Sequence, residues 1–253
     1  MRRLWIITGA TAGLGQQILA YIPVEDIVLR IGKTPIENRP VERQQIVELQ
    51  ADLGLPSLVD VKLQQAFDEL LCTNIEVKPA VLINCAAENL ITPTRFIEAD
   101  DFERILNVNV VSPALIARTI LHRVWRPDSL DQFVVVNIGS NAAKGAGAHS
   151  LAYVASKHAL TGVTRSLARD YAGQAIIFQV NFGKLEGTRM TNYIDQQQAK
   201  LKGTSVAEER LRQSKSWAGG IEISLDAAAN FVMNLISDPG IRQFNGGIFD
   251  YGC

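Results

Sequence analysis

Tyr153 and Lys157 stand four positions apart in the run Tyr153-Val154-Ala155-Ser156-Lys157, inside a stretch of helical spacing. On a helix, positions i and i+4 share one face. A tyrosine hydroxyl titrates near ~10, too high for easy proton exchange at neutral pH. An ammonium one turn away, together with an oxidised nicotinamide, would favour the phenolate and lower that value. Such a hydroxyl is a general acid for reducing a ketone and a general base for oxidising an alcohol. Taken alone, a Tyr-x-x-x-Lys pair is mostly a coincidence of helix composition, so its weight depends on what accompanies it. Ser140 lies thirteen positions upstream, just past the apolar run Phe133–Ile138. Strand ends at the carboxyl edge of an open α/β sheet are where ligands bind, and a hydroxyl there can hold a carbonyl oxygen and stabilise its developing charge. The intervening Ala142–Ala148 segment reads as a flexible loop beside such a pocket.

Positioning these groups requires alternating strands and helices, and the chain supplies them. Leu4–Ile7, Ile27–Ile31, Ile46–Gln50, Val81–Asn84, Phe133–Ile138, Ile176–Asn181 and Gly247–Tyr251 read as strands. Most are continuous apolar runs, the pattern of a parallel sheet covered on both faces. Helical spacing runs over Asp100 to about Trp125, Leu151–Tyr171, and Leu225–Ser237 behind the N-cap candidate Ser224. The β-α-β-α order predicts a single domain over 1–253, an α/β doubly wound parallel sheet of about seven strands flanked by helices. Two prolines in 33–40 leave little room for a full second crossover helix. A long polar segment, 184–220, reads as surface helices that form a substrate-loop region over the site.

Thr8-Gly9-Ala10-Thr11-Ala12-Gly13-Leu14-Gly15 follows the first strand and opens the first helix, which stops before Pro23. Glycines in such a loop let the chain turn tightly and let backbone N–H groups approach a ligand, while the helix N-terminus presents free N–H groups to a pyrophosphate. A dinucleotide is therefore expected here, with Gly9, Thr11, Gly13, Leu14 and Gly15 around its phosphates. The end of the second strand, Arg30-Ile31-Gly32-Lys33, offers cations and no acid before Glu37. Lys33 first, then Arg30 and Arg39, are the expected contacts to a 2′-phosphate, which makes NADP(H) the expected cofactor and NAD(H) the alternative.

With these residues in order, the chain resembles the short-chain dehydrogenase/reductase family from end to end. Residues 8–15 are similar to the family's TGxxxGxG loop, Asn84-Cys85-Ala86-Ala87 to its NNAG turn, and Asn245–Gly252 to its last strand. The resemblance implies that Asp52, with Leu53 beside it, lies near the adenine ring, that Asn84 and Ala86 line the cofactor, and that Gly183 and Thr188 meet the nicotinamide end. It also implies a catalytic set of Ser140, Tyr153, Lys157 and Asn109. In that set hydride passes between nicotinamide and carbonyl carbon, Tyr153 moves the proton, Ser140 holds the oxygen, Lys157 binds the nicotinamide ribose, and Asn109 holds a water of the proton relay. Two departures stand out: Ala87 replaces the glycine of NNAG, and Asn181-Phe182-Gly183-Lys184 replaces the usual Pro-Gly pair. The resemblance further implies a homodimer or homotetramer packed through the helices at about 100–125 and 151–171.

Other functions find little support. The formal net charge of -1 gives no electrostatic case for nucleic acid or an anionic membrane. No continuous apolar run approaches the ~18 residues that span a bilayer, and Leu4–Ile7 is too short for a secretory signal. Three cysteines spaced far apart, Cys72, Cys85 and Cys253, read as reduced thiols in a cytoplasmic protein. His122, His149 and His158 lack metal-ligand spacing, so no metal is expected. No G-x-S-x-G surrounds Ser140, which argues against a hydrolase. Three readings remain: a reductase or dehydrogenase of a small carbonyl or alcohol substrate, a 3-oxoacyl-thioester reductase, and a non-catalytic redox sensor or scaffold. The intact set of four favours the enzymes, because a sensor has no need of a proton relay.

Overall fold

The structure is a computed structural model that describes residues 2–34, 46–72, 77–124, 133–215 and 222–252. Glu37, Arg39, Trp125, Trp217 and Cys253 lie outside the described residues. The expected alternation is present, beginning with β1 (Arg2–Thr8), α1 (Gly13–Tyr21), β2 (Ile27–Gly32), β3 (Ile46–Gln50), α2 (Pro56–Cys72) and β4 (Val77–Asn84). Then come α3 (Ala99–Leu106), α4 (Ser112–Val124), β5 (Phe133–Ile138), α5 (Leu151–Asp170) and β6 (Ala175–Phe182). The chain finishes with α6 (Arg189–Lys202), α7 (Val206–Ser214), α8 (Leu225–Ser237) and β7 (Ile248–Tyr251). Among the described residues these strands make one seven-stranded sheet in the order β3-β2-β1-β4-β5-β6-β7, and every pair is parallel.

The strands are apolar on both sides because both sides are covered. In β1, Leu4 and Ile6 face a core completed by Leu63 and Phe67 of α2 and Ile116 and Ile120 of α4. Trp5 and Ile7 face the opposite core, closed by Leu14 and Ile18 of α1 and Ala228 and Val232 of α8. Ser224 caps α8 as its position suggests, its hydroxyl accepting the Ala227 N–H at 3.2 Å. The helix expected over 100–125 is broken in the middle by a π turn, Asn107–Val111. Averaged along its length, Ala99–Arg123 is long and apolar enough to cross a bilayer, but 56% of that window is buried in the fold, as a helix packed on a sheet requires.

The polar excursion after β6 folds as two capped helices held by buried charge. Thr188 caps α6, and Ser205 and Glu208 form a capping box on α7. Asp195 of α6 is 0% exposed and takes Lys184 at 2.5 Å and Arg210 of α7 at 2.7 Å. Glu209 of α7, 1% exposed, takes Lys202 of α6 at 2.8 Å and Arg212 at 2.7 Å. Two carboxylates removed from water thus join α6 to α7 and to the end of β6, so the pair is a single bracket. Breaking one side of a buried ion pair leaves the other charge uncompensated. Asp195→Ala is therefore expected to lower the unfolding free energy by about 3 kcal/mol in a urea titration, and a loss below about 1 kcal/mol, the value of an exposed pair, would contradict this bracket.

Candidate active site

The glycines of the β1–α1 loop are imposed by close approach. Gly9 has φ +71, and a Cβ there would lie 2.6 Å from Ala86 Cα. A Cβ on Gly15 would lie 2.4 Å from the Gly9 carbonyl oxygen. Thr8 pins this loop to the end of β4, its hydroxyl oxygen accepting the N–H groups of Cys85 and Ala86, both at 3.1 Å. At the N-cap of α1, Ala12 supplies no side-chain hydrogen bond, so the first N–H groups of the helix remain for an anionic ligand. Thr188 faces this loop, its Cγ2 3.6 Å from where a Cβ of Gly13 would stand. Gly183 is a glycine for another reason: a Cβ there would meet the Gly252 carbonyl oxygen at 2.0 Å. The C-terminal strand, rather than a ligand, sets that requirement.

The cations past β2 are engaged within the protein. Arg30 is 2% exposed and its Nη2 meets Glu48 Oε2 at 3.1 Å, with the Thr34 carbonyl oxygen also at 3.1 Å. Lys33, 70% exposed, leans on Asp52 at 3.3 Å. Asp52 also takes the Gly54 N–H at 2.9 Å and Arg104 at 3.2 Å. Burial works against the Asp52 carboxylate, yet these donors outweigh it and hold its pKa below the usual range. Arg104 grips Glu88 with two nitrogens, at 2.6 and 2.8 Å. Sequence reading gave Glu88 and Arg104 no role, because nothing in the spacing of residues 52, 88 and 104 announces that they meet.

Ser140, Tyr153 and Lys157 come together at the carboxyl end of β5. Ser140 caps a single 3₁₀ turn, Asn141–Ala143, its hydroxyl accepting the Ala142 N–H at 3.2 Å. Lys157, 2% exposed, donates to the Ile138 carbonyl oxygen at 2.9 Å, and its Nζ lies 5.6 Å from the Tyr153 ring centroid. Burial pulls the Lys157 ammonium down to about 8, with Cys85 opposing. Burial also raises the Tyr153 phenol, and its hydrogen bond with Ser140 acts in the other direction. The expected depression of Tyr153 by Lys157 is not what this geometry gives, because the ammonium is spent on the β5 carbonyl. Asn109 sits buried in the π turn: its Oδ1 accepts the Glu88 N–H, and its Nδ2 donates to Glu88 O and Ser156 Oγ, all at 2.9 Å. On the substrate side, Tyr193 Oη accepts the Ile91 N–H at 3.4 Å, and His149, at φ +64, accepts the Thr92 N–H at 2.8 Å.

Beneath these groups runs a buried polar row that sequence reading did not find. Asn84 donates to Asn137 at 2.9 Å, Asn137 to Thr164 at 2.9 Å, and Thr164 to Gln179 at 3.2 Å. Gln179 donates to Asn181 at 2.7 Å, and Asn181 to Asp250 at 3.0 Å. At its surface end Asp250 meets Lys144, in the segment that follows Ser140, at 2.9 Å. Gly139 makes room for the row, since a Cβ there would lie 2.0 Å from Asn181 Oδ1.

A glycine cradle at the edge of a doubly wound sheet, with a serine, tyrosine and lysine beside it, defines a dinucleotide-dependent oxidoreductase. The family model "short chain dehydrogenase" matches residues 3–199, and the chain belongs to the short-chain dehydrogenase/reductase family. It is an oxidoreductase that acts on CH–OH/C=O groups with a nicotinamide cofactor. It is similar to "Short chain dehydrogenase/reductase dpchG" of Colletotrichum higginsianum, 29% identical over 96% of this chain and 90% of that one. It is also similar to "Short chain dehydrogenase/reductase dpfgG" of Gibberella zeae, 25% identical over 96% and 90%. Among solved structures, 4-hydroxyisoleucine dehydrogenase complexed with NADH superposes with a TM-score of 0.79 at 24% identity, covering 98% of this chain and 96% of that one. The expectation of NADP(H) is corrected here. The structural neighbour carries NADH, and two of the cations on which the expectation rested, Arg30 and Lys33, pair with Glu48 and Asp52.

The buried lysine has a measurable consequence. An unfolded chain protonates Lys157 up to about 10.5 and the folded one only up to about 8. Folding therefore carries a penalty that is complete below pH 8 and fades as pH rises from 8 to 10.5. Lys157→Met, which removes the charge and one hydrogen bond, is expected to stabilise the unliganded protein by about 1–3 kcal/mol at pH 7. That advantage should shrink toward pH 10 in parallel urea titrations. A variant less stable than wild type, or a pH-independent difference, would show that burial does not strain Lys157.

Proposed function

We propose that the protein is an NAD(H)-dependent carbonyl reductase, or in reverse an alcohol dehydrogenase, for a small organic substrate. The observation that carries this reading is the hydroxyl pair of Tyr153 and Ser140 beside the Lys157 ammonium at the carboxyl end of β5. Bound NADH supplies the hydride that reduces the carbonyl carbon. Tyr153 gives its proton to the carbonyl oxygen as charge develops there, and a phenol raised by burial stays protonated through the neutral range for that task. Ser140 donates a hydrogen bond to the same oxygen. Lys157, held by the Ile138 carbonyl with its Nζ 5.6 Å from the Tyr153 ring centroid, would bind the nicotinamide ribose. Asn109, joined through Ser156 to the helix of Tyr153 and Lys157, holds the proton relay in register.

The cofactor reading assigns the pyrophosphate to Gly9, Thr11, Gly13, Leu14 and Gly15, at the uncapped N-terminus of α1. Asp52 and Leu53 take the adenine end, Asn84 and Ala86 the middle, and Gly183 and Thr188 the nicotinamide end. Thioester reduction is less well supported. Lys200 and Lys202 lie at the far end of α6 from Arg189, roughly 16–20 Å along the axis, and Lys202 is committed to Glu209. A homodimer or homotetramer in the cytoplasm goes with this reading, and the apolar side chains Val111, just before α4, and Leu151, at the start of α5, are exposed.

Tyr153→Phe is expected to cut turnover of a carbonyl substrate by about 10²–10⁴-fold while leaving NADH affinity, measured by fluorescence titration, within about twofold of wild type. Unchanged turnover would remove Tyr153 from the mechanism. Size-exclusion chromatography is expected to give a dimer or tetramer, and a monomer would contradict the assembly.

A further inference from the structure

We infer that Glu48, on β3, sets the cofactor preference by neutralising the buried Arg30 of β2. The inference rests on the NAD(H) reading above. Arg30 and Glu48 are direct partners in the β2–β3 register, and their side chains meet at 3.1 Å. The guanidinium lies at the last residue of β2, with Nη1 3.7 Å from where a Cβ of Gly32 would stand. In a doubly wound fold the adenosine ribose meets the sheet at that place.

Arginine does not give up its charge on burial. Of its nitrogens only Nη2 is engaged, by Glu48 and the Thr34 carbonyl; Nε and Nη1 are buried with no hydrogen-bond partner. Glu48 is thus the group that balances a nearly fully buried cation. While the pair stands, its two charges cancel, and a 2′-phosphate at the strand end gains nothing from the cation. A ribose hydroxyl carries no charge and loses nothing by that cancellation. Without the carboxylate, the same buried guanidinium has an uncompensated charge, whose field in a poorly screened setting attracts a phosphate at the strand end. Lys33 and its exposed pair with Asp52 are the same in every variant compared, so they do not enter the difference between them. The acid that selects against the 2′-phosphate therefore sits on the neighbouring strand and acts through Arg30. It is a specificity-determining position that no spacing rule for the β2 end would locate.

The test uses adenosine 2′,5′-bisphosphate and AMP as probes, titrated into wild type, Glu48→Gln and the double variant Arg30→Leu/Glu48→Gln. Values of kcat/KM for NADPH and NADH are measured on the same proteins. Glu48→Gln is expected to bind the bisphosphate about tenfold more tightly with AMP affinity little changed, the effect of one buried positive charge left unneutralised near the 2′-phosphate. Its NADPH-to-NADH ratio should rise by a similar factor, and the double variant should lose both gains. Glu48 lies on an edge strand with its side chain 21% exposed, and Glu48→Ser provides a second test should the amide variant not fold. No gain in any folded variant, or a gain that survives the loss of Arg30, overturns the inference. The wild-type ratio alone reads the cofactor preference, whereas the change on substitution reads Glu48, so the two ideas fail separately.

Discussion

The row of side-chain hydrogen bonds from Asn84 to Asp250 is the constraint on which the site's geometry depends. It crosses β4, β5, α5, β6 and β7, and four of its members, Asn137, Thr164, Gln179 and Asn181, are at most 2% exposed. Buried amides cost stability unless they find partners in good geometry, so the row favours the register of strands and α5 that forms it. That register places Lys157, two helical turns from Thr164, under the Ile138 carbonyl and sets Tyr153 beside Ser140. An apolar sheet would pack as densely but would let α5 slide, whereas a hydrogen-bonded row does not.

Lys157 carries the opposite kind of cost. An ammonium nearly excluded from water, bonded to one carbonyl, opposes folding at neutral pH. Such a charge is retained where function needs it, and the stable frame around it absorbs the strain. The ion-paired bracket of α6 and α7 supplies part of that frame. Its buried carboxylates, Asp195 and Glu209, hold a polar excursion together as one piece.

Much of the fold was legible in the sequence because it rests on local signals. Continuous apolar runs located the strands, Ser224 located a cap, and the glycines at 9, 13 and 15 located the turn between β1 and α1. The Ser140, Tyr153 and Lys157 spacing was legible because a strand end followed by a helix brings those positions together. What was hidden depends on partners distant in sequence. Arg30 reads as a phosphate contact until Glu48 is placed beside it, and the single amides at 84, 137, 179 and 181 do not show in the sequence that they form one row. The π turn at Asn107–Val111 leaves no trace in composition, since the same residues would suit a regular helix. The cofactor expectation failed for this reason: it counted charges along the chain, and the fold had already paired them.

The central claim is that this chain moves hydride from NADH to a carbonyl carbon while a side chain supplies the proton. Turnover of a carbonyl substrate with NADH dideuterated at C4, followed by mass spectrometry and NMR of the product, tests it directly. The account predicts one deuterium on the new carbinol carbon and a solvent proton on its oxygen. A reduced product without deuterium at that carbon would contradict it.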